Sequence, residues 1–290
     1  MNRFPIAVLL AAQLSGLAAC MGQEAPAQRS THAAIEDYFD EVRTLYSGDR
    51  ALEILAFMDG TFRLPGNAGF DASIYRLEEV LAAAGYIDEQ DAGPGAPLTY
   101  RIEHRAMDAP AWEPVEGTLA LVGSEGGTLL DLSTNLNMMA INSYSTVPEG
   151  VEAELVYVGD GRPEQFQDID VRGKIVFGET SVRRLFSEAV QNRGAVGVLS
   201  YSMPSYTRPE QNPNSIQFGS IPLDEERESW GLRLSYAARE RLKQALEAGS
   251  ARVRVALETR IFDADELTLV ADVRGRTHPD ERFVLSAHVQ

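Results

Sequence analysis

The chain is poor in three things, and each shortage excludes something. It has one cysteine, Cys20, so no disulfide can close within it. Positive charge is scarce. The 26 Lys and Arg against 43 Asp and Glu leave a formal charge of −17, which excludes nucleic acid as a partner, because phosphate binding draws on clustered cations. Long apolar runs are absent too: Phe4 to Ala12 is apolar but too short to span a bilayer. Nor is there a GxSxG elbow, a P-loop, a cysteine nucleophile or an internal repeat. GSEGG (123–127) has no Lys-Ser after it and reads as a turn. What is present is ordinary for a globular protein. With 44% apolar and 24% charged residues, the 290 residues can bury the core of one large or two ordinary domains.

The N-terminus carries an address. Arg3 makes a short positive region, Phe4 to Ala12 an apolar one, and Leu17-Ala18-Ala19 precede Cys20. This stretch resembles the lipobox of bacterial lipoproteins. The resemblance implies a signal peptide at 1–19, lipidation of Cys20 and a lipid anchor in the membrane. GQEAPAQRST (22–31) is polar and reads as a tether over 20–30. By the sorting rules of such proteins, Met21 after the cysteine implies the outer membrane, with the protein facing the periplasm or the outside.

From Thr31 the pattern is helical, with Ile35, Tyr38, Phe39, Val42 and Tyr46 on one stripe. Asp49 can cap a second helix through Phe57. GTFRLPGNAGFDAS (60–73) is a loop, and Asp71 or Ser73 can start a third helix that Gly85 ends. Ile74, Leu77, Val80, Leu81 and Ala84 would face inward. Leu98 to Met107 reads as a strand, and the proline-punctuated DAPAWEPVEG (108–117) as irregular chain at a domain boundary. Then come short β-rich runs, AELVYVGDG (153–161) and GKIVFGE (173–179). An amphipathic helix from Val182 to Arg193 is stopped by Gly194 and followed by the strand AVGVLSY (195–201), which completes a βαβ unit. Ser235 caps a further helix that ends at Gly249, and ARVRVALETRIF (251–262) alternates as a strand. LTLVADVRG and FVLSAHV read as two strands around the turn RTHPDE (276–281).

The blocks GVEAELVYVGDG, VRGKIVFGE, NRGAVGVLSYS, SIPLDEE and GLRLSYAARERLKQALEAG, within about 128–256, resemble the protease-associated domain. Such a module is commonly inserted in zinc aminopeptidases of metallopeptidase family twenty-eight. The flanks, RLPGNAGFDAS with AAAGY and LTLVADVRGRTHPDERFVLSAHVQ, resemble that family's early part. The resemblance implies an α/β fold: a β-rich protease-associated domain at 113–262, inserted in the start of a zinc-peptidase domain with a mixed, phosphorylase/hydrolase-like central sheet. That peptidase domain would comprise 31–112 and 263–290 and be truncated at the C-terminus.

On this mapping His288 is the first zinc ligand. It sits after Phe283-Val284-Leu285, at the strand end where open α/β sheets gather ligands. The family has an aspartate two residues on, which orients the histidine; here Gln290 stands there and offers an uncharged amide oxygen. The resemblance implies two zinc ions, of which this chain holds at most one ligand. Bound together, they would polarise a peptide carbonyl and generate hydroxide. The catalytic residues would lie beyond Gln290. His32, His104 and His278 read as structural or surface histidines, and Glu78-Glu79 and Glu225-Glu226 as solvated acids. The expectation is an exported, lipid-anchored aminopeptidase acting on peptides, inactive as this chain alone. The alternative is a non-catalytic lipoprotein that binds peptides or proteins through its protease-associated domain, and Gln290 favours it.

Overall fold

The computed structural model describes residues 31–123 and 127–289. The expectations for 1–19, Cys20, the tether and Gln290 lie outside the described residues. The chain divides into two units, 1–51 and 52–290. Helix α1 (Thr31–Leu45) belongs to the first, and α2 (Gly48–Asp59) runs from the first into the second. The apolar stripe of α1 is there, but Tyr38, Phe39, Val42 and Tyr46 are exposed. No described helix is long and apolar enough to cross a membrane.

Helix α3 (Ala68–Ala83) begins earlier than Asp71 or Ser73 as its cap would suggest. Asn67 is extended, and its side chain accepts the Phe70 N–H at 3.1 Å. That start puts Phe70, Ser73 and Ile74 inside. The end is as read: Gly85 takes φ +91°, and Tyr86 N–H donates to Leu81 O at 3.1 Å, closing a Schellman motif. Val80, on the last turn, is exposed.

Strands β1 (Ile87–Asp88), β2 (Leu98–Ala106) and β10 (Asp265–Val273) form a three-stranded sheet in the order β1-β2-β10. The remaining strands are β3 (Ala111–Leu121), β4 (Gly127–Asp131), β5 (Val151–Tyr157), β6 (Ile175–Gly178), β7 (Gly197–Ser200), β8 (Trp230–Arg233) and β9 (Arg252–Phe262). They form a seven-stranded mixed sheet in the order β4-β3-β9-β5-β6-β7-β8. One antiparallel ribbon joins the two sheets. Its register runs to Ala106 opposite Asp265, bends, and resumes at Ala111 opposite Phe262. Gly66 fills the bend: at φ +84°, a Cβ on it would lie 2.9 Å from both Ala264 Cβ and Met107 Sδ.

DAPAWEPVEG is therefore mostly strand rather than irregular chain. A register shift between Pro114 and Glu116 absorbs the proline, which cannot donate to the ladder.

Strands β5 to β8 run parallel, and their alternation serves two cores. Leu155, Ile175, Phe177, Leu199 and Leu232 pack with Ala238 and Leu242 of α5 (Tyr236–Glu247). Val176 and Val198 point the other way, onto Val182, Leu185 and Phe186 of α4 (Val182–Phe186). Helix α4 continues into a π turn at Ser187–Gln191 that buries Ala189 and Val190. A strand buried on both faces needs no polar alternate residue, so these runs are continuously apolar. The expected last strand is not formed. FVLSAHV carries no strand pairing, and Phe283, Val284 and Leu285 are exposed. An extended segment becomes a strand only when a neighbour takes its backbone hydrogen bonds, and no described residues do so.

Candidate functional site

An open cleft of about 1000 Å³ has His288 on its wall. One wall is the loop Asp59–Leu64, which the GTFRLPGN stretch dictates by breaking the helices on either side. Phe62 fixes this loop to the ribbon. Its ring meets Trp112 edge-on, with centroids 5.4 Å apart at 72°, and Trp112 Nε1 donates to Ser143 O at 2.7 Å. Arg63 ties the loop to the histidine segment, Nε donating to Val289 O at 3.1 Å and Nη1 to Thr61 O at 3.0 Å. Val289 packs against the small core of Phe70, Ile74 and Leu267. His288 itself is exposed to the cleft.

The facing wall comes from the segments 133–137 and 214–218. Asparagines staple them together: Asn135 Nδ2 donates to Asn214 O and Asn137 Nδ2 to Ile216 O, both at 3.3 Å. Asn142 Nδ2 donates to Ile221 O at 3.0 Å. Asp131 starts the first segment by accepting from the Ser133 hydroxyl at 2.6 Å and its N–H at 2.9 Å. Those two bonds hold the Asp131 carboxyl below the usual range, the hydroxyl first. Leu136, Ile141, Ile216 and the exposed Phe218 give this wall its apolar character.

The structure brings His288 to the cleft and leaves the other histidines elsewhere. His104 lies in β2 opposite Leu267. His278 Nδ1 stands 3.6 Å from Glu281 Oε1 on the surface, and His32 falls in α1. Burial raises the carboxyl of Asp71, with His104 offsetting part of the effect. Glu78 accepts from Tyr100 Oη at 3.1 Å and Glu79 from Arg76 at 2.7 Å, while Glu225 and Glu226 are exposed. Among the described residues no three His, Cys, Asp or Glu side chains gather into a metal site. A catalytic zinc takes three protein ligands and His288 is one donor, so the residues present do not fit the ion. Arg63, Asn135, Asn137 and Phe218 escape a sequence reading, since only pairings across some 79 residues reveal the staples.

No protein-family model matches the chain, and no curated protein matches it. Solved structures do. A peptidase M28 precursor from Shewanella amazonensis SB2B is similar at 14% identity, over 79% of this chain and 51% of that one, with a TM-score of 0.52. That likeness shows the fold. An aminopeptidase from Aneurinibacillus sp. strain AM-1 matches at 17% identity over 80% of this chain and 49% of its own, with a TM-score of 0.43. The zinc aminopeptidase BSAP from Bacillus subtilis matches at 17% identity over 71% and 42%, also at 0.43. The chain spans about half the length of these structures.

Proposed function

We propose that this chain belongs to an exported, zinc-dependent peptidase of the aminopeptidase type, held on a membrane by lipid on Cys20. The observation that carries the reading is the fold shared with the Shewanella peptidase M28 precursor. The cleft that His288 lines supports it. On this reading His288 is one zinc ligand, Gln290 stands where the resembled family has the acid that orients it, and the other ligands are not among the described residues. Residues 113–262 act as a protease-associated module. Their segments at 133–137 and 214–218 form the wall facing His288 and select the peptide. Arg63 positions the histidine segment through Val289 O.

The test is to express the protein as its gene encodes it, with and without His288→Ala, and to measure bound zinc and cleavage of an aminoacyl reporter. His288→Ala should lower both by at least about tenfold. Undiminished zinc and cleavage in the variant would remove His288 from the site. Gln290, uncharged where the resembled family has an acid, favours a second reading, a lipoprotein that binds peptides without cleaving them. An encoded protein with neither zinc nor hydrolysis but with peptide affinity would establish it.

A further inference from the structure

Two charged side chains are buried among the described residues, Asp224 and Arg233. Asp224 is answered: it accepts from Gln191 Nε2 at 3.0 Å and from Arg227 Nη1 at 3.2 Å. Arg233 is not. It is 6% exposed and forms no ion pair among the described residues, and of its five N–H groups only one on Nη2 is engaged, with Ser202 O at 2.9 Å. Nε is buried without a partner. Nη1 lies beside Gly219, where a Cβ would approach to 2.6 Å, so only glycine there makes room for the guanidinium. Burial holds the group below the usual arginine range, and no acid acts in the other direction. A buried charge with no counter-charge is costly, and such groups are ordinarily paired.

The surroundings say what is missing. Arg233 ends β8, in register with Ser200 at the end of β7. It therefore stands at the carboxyl ends of parallel strands, where open sheets collect ligands. Arg183, on α4, donates through Nη2 to Ser220 Oγ at 3.3 Å and makes no ion pair among the described residues. Two guanidinium groups thus meet the Gly219-Ser220 segment with no acid, in a chain whose net charge is −17. The acid at the end of β6, Glu179, is already taken by Arg239, Lys243 and Tyr157. The preceding residue, Phe218, lines the cleft.

We propose that Arg233 and Arg183 form a carboxylate-binding site at the rim of the cleft, which takes an acidic side chain or the terminal carboxylate of a peptide. A planar carboxylate matches the guanidinium fork, and a desolvated pair of this kind is charge-assisted. The inference rests on the peptidase reading only in naming peptides as the source.

The test is a titration of the ¹⁵N-labelled chain, following the Arg233 Nε–H resonance, which is assigned by its loss in Arg233→Lys. Four probes are used: N-acetylaspartate α-amide, N-acetylalanine, N-acetylasparagine α-amide and inorganic phosphate. One or both carboxylates should shift the resonance saturably, and the asparagine compound should not. The first marks a side-chain carboxylate as the ligand and the second a terminal one. Arg183→Gln changes an exposed residue and so keeps the fold; it should weaken the carboxylate by at least about threefold, and Arg233→Lys by about tenfold when followed through Gly219 and Ser220 amides. Silence towards both carboxylates overturns the proposal, as does an equal response to the neutral amide, or a response to phosphate alone. No hydrolysis is measured, so failure here leaves the peptidase reading standing, and failure of that reading leaves a carboxylate site detectable.

Discussion

Gly197 is the position where one added carbon should do most harm. It lies in β7 directly opposite Trp230 of β8, and a Cβ built on it falls 2.6 Å from Cδ2, Cε2 and Cε3 of the indole. Carbon atoms pack at about 3.5–4.0 Å, so Gly197→Ala overlaps three ring atoms by roughly 1 Å each. Trp230 is 2% exposed within the larger core and cannot swing into solvent. Overpacking of this kind costs about 1–3 kcal/mol, and a rigid ring met on three atoms belongs at the upper end. Alanine stiffens the unfolded chain and returns about 0.4–1 kcal/mol, which leaves a net loss of about 2 kcal/mol. Trp112 and Trp230 are the only tryptophans, so their fluorescence in urea follows the region directly. In a Trp230→Leu background the same alanine should cost less than about 0.5 kcal/mol, a coupling of about 1.5 kcal/mol. An equal cost in both backgrounds would show that the ring is not what excludes the methyl group.

Three further outcomes follow from particular residues. Burial pushes the Glu179 carboxyl up, but Arg239 and Lys243 outweigh it and hold the carboxyl below its ordinary value. Its contribution is therefore present above the unfolded pKa, about 4.3, and is lost as pH falls through the lowered folded value. Glu179→Gln should destabilise the chain by about 1 kcal/mol at pH 7 and by progressively less as pH falls below about 4, read as urea midpoints at each pH. Ser235 Oγ accepts the Ala238 N–H at 3.2 Å and caps α5, so Ser235→Ala should lower stability by about 1 kcal/mol in the same assay. Cys20→Ser should move the protein from the membrane to the soluble fraction on fractionation, and unchanged membrane association would end the lipid-anchor proposal.

Features set by a few neighbouring residues were legible. The Ser235 cap, the Gly85 stop, the face of α4 and the alternation of β9 each depend on residues within two turns or one strand. The third helix was found but started late, because Asp71 and Ser73 are good caps by type while the backbone turns at Asn67. Strand β8 was missed for an instructive reason. Trp230, Leu232 and Leu234 alternate with Gly231 and Arg233, but the stretch is short and broken by a glycine, and both of its faces are buried. Its place between β7 and the segment 138–140 makes it a strand, through Ala140 N–H to Gly231 O at 2.9 Å and Arg233 N–H to Met138 O at 2.7 Å. No local propensity encodes that place.

FVLSAHV fails in the opposite direction. Its apolar residues state which surface favours burial, and they say nothing of what buries it. In β7 the same kind of run, Gly197–Ser200, has β6 and β8 on either side and is fully buried. At 283–285 no strand among the described residues flanks the run, and its side chains are exposed. The two runs differ in their neighbours, not in their composition. The one part of the second segment that does pack is Val289, held where Arg63 takes its carbonyl. That bond and the packing of Val289, and not strand pairing, hold His288 at the cleft.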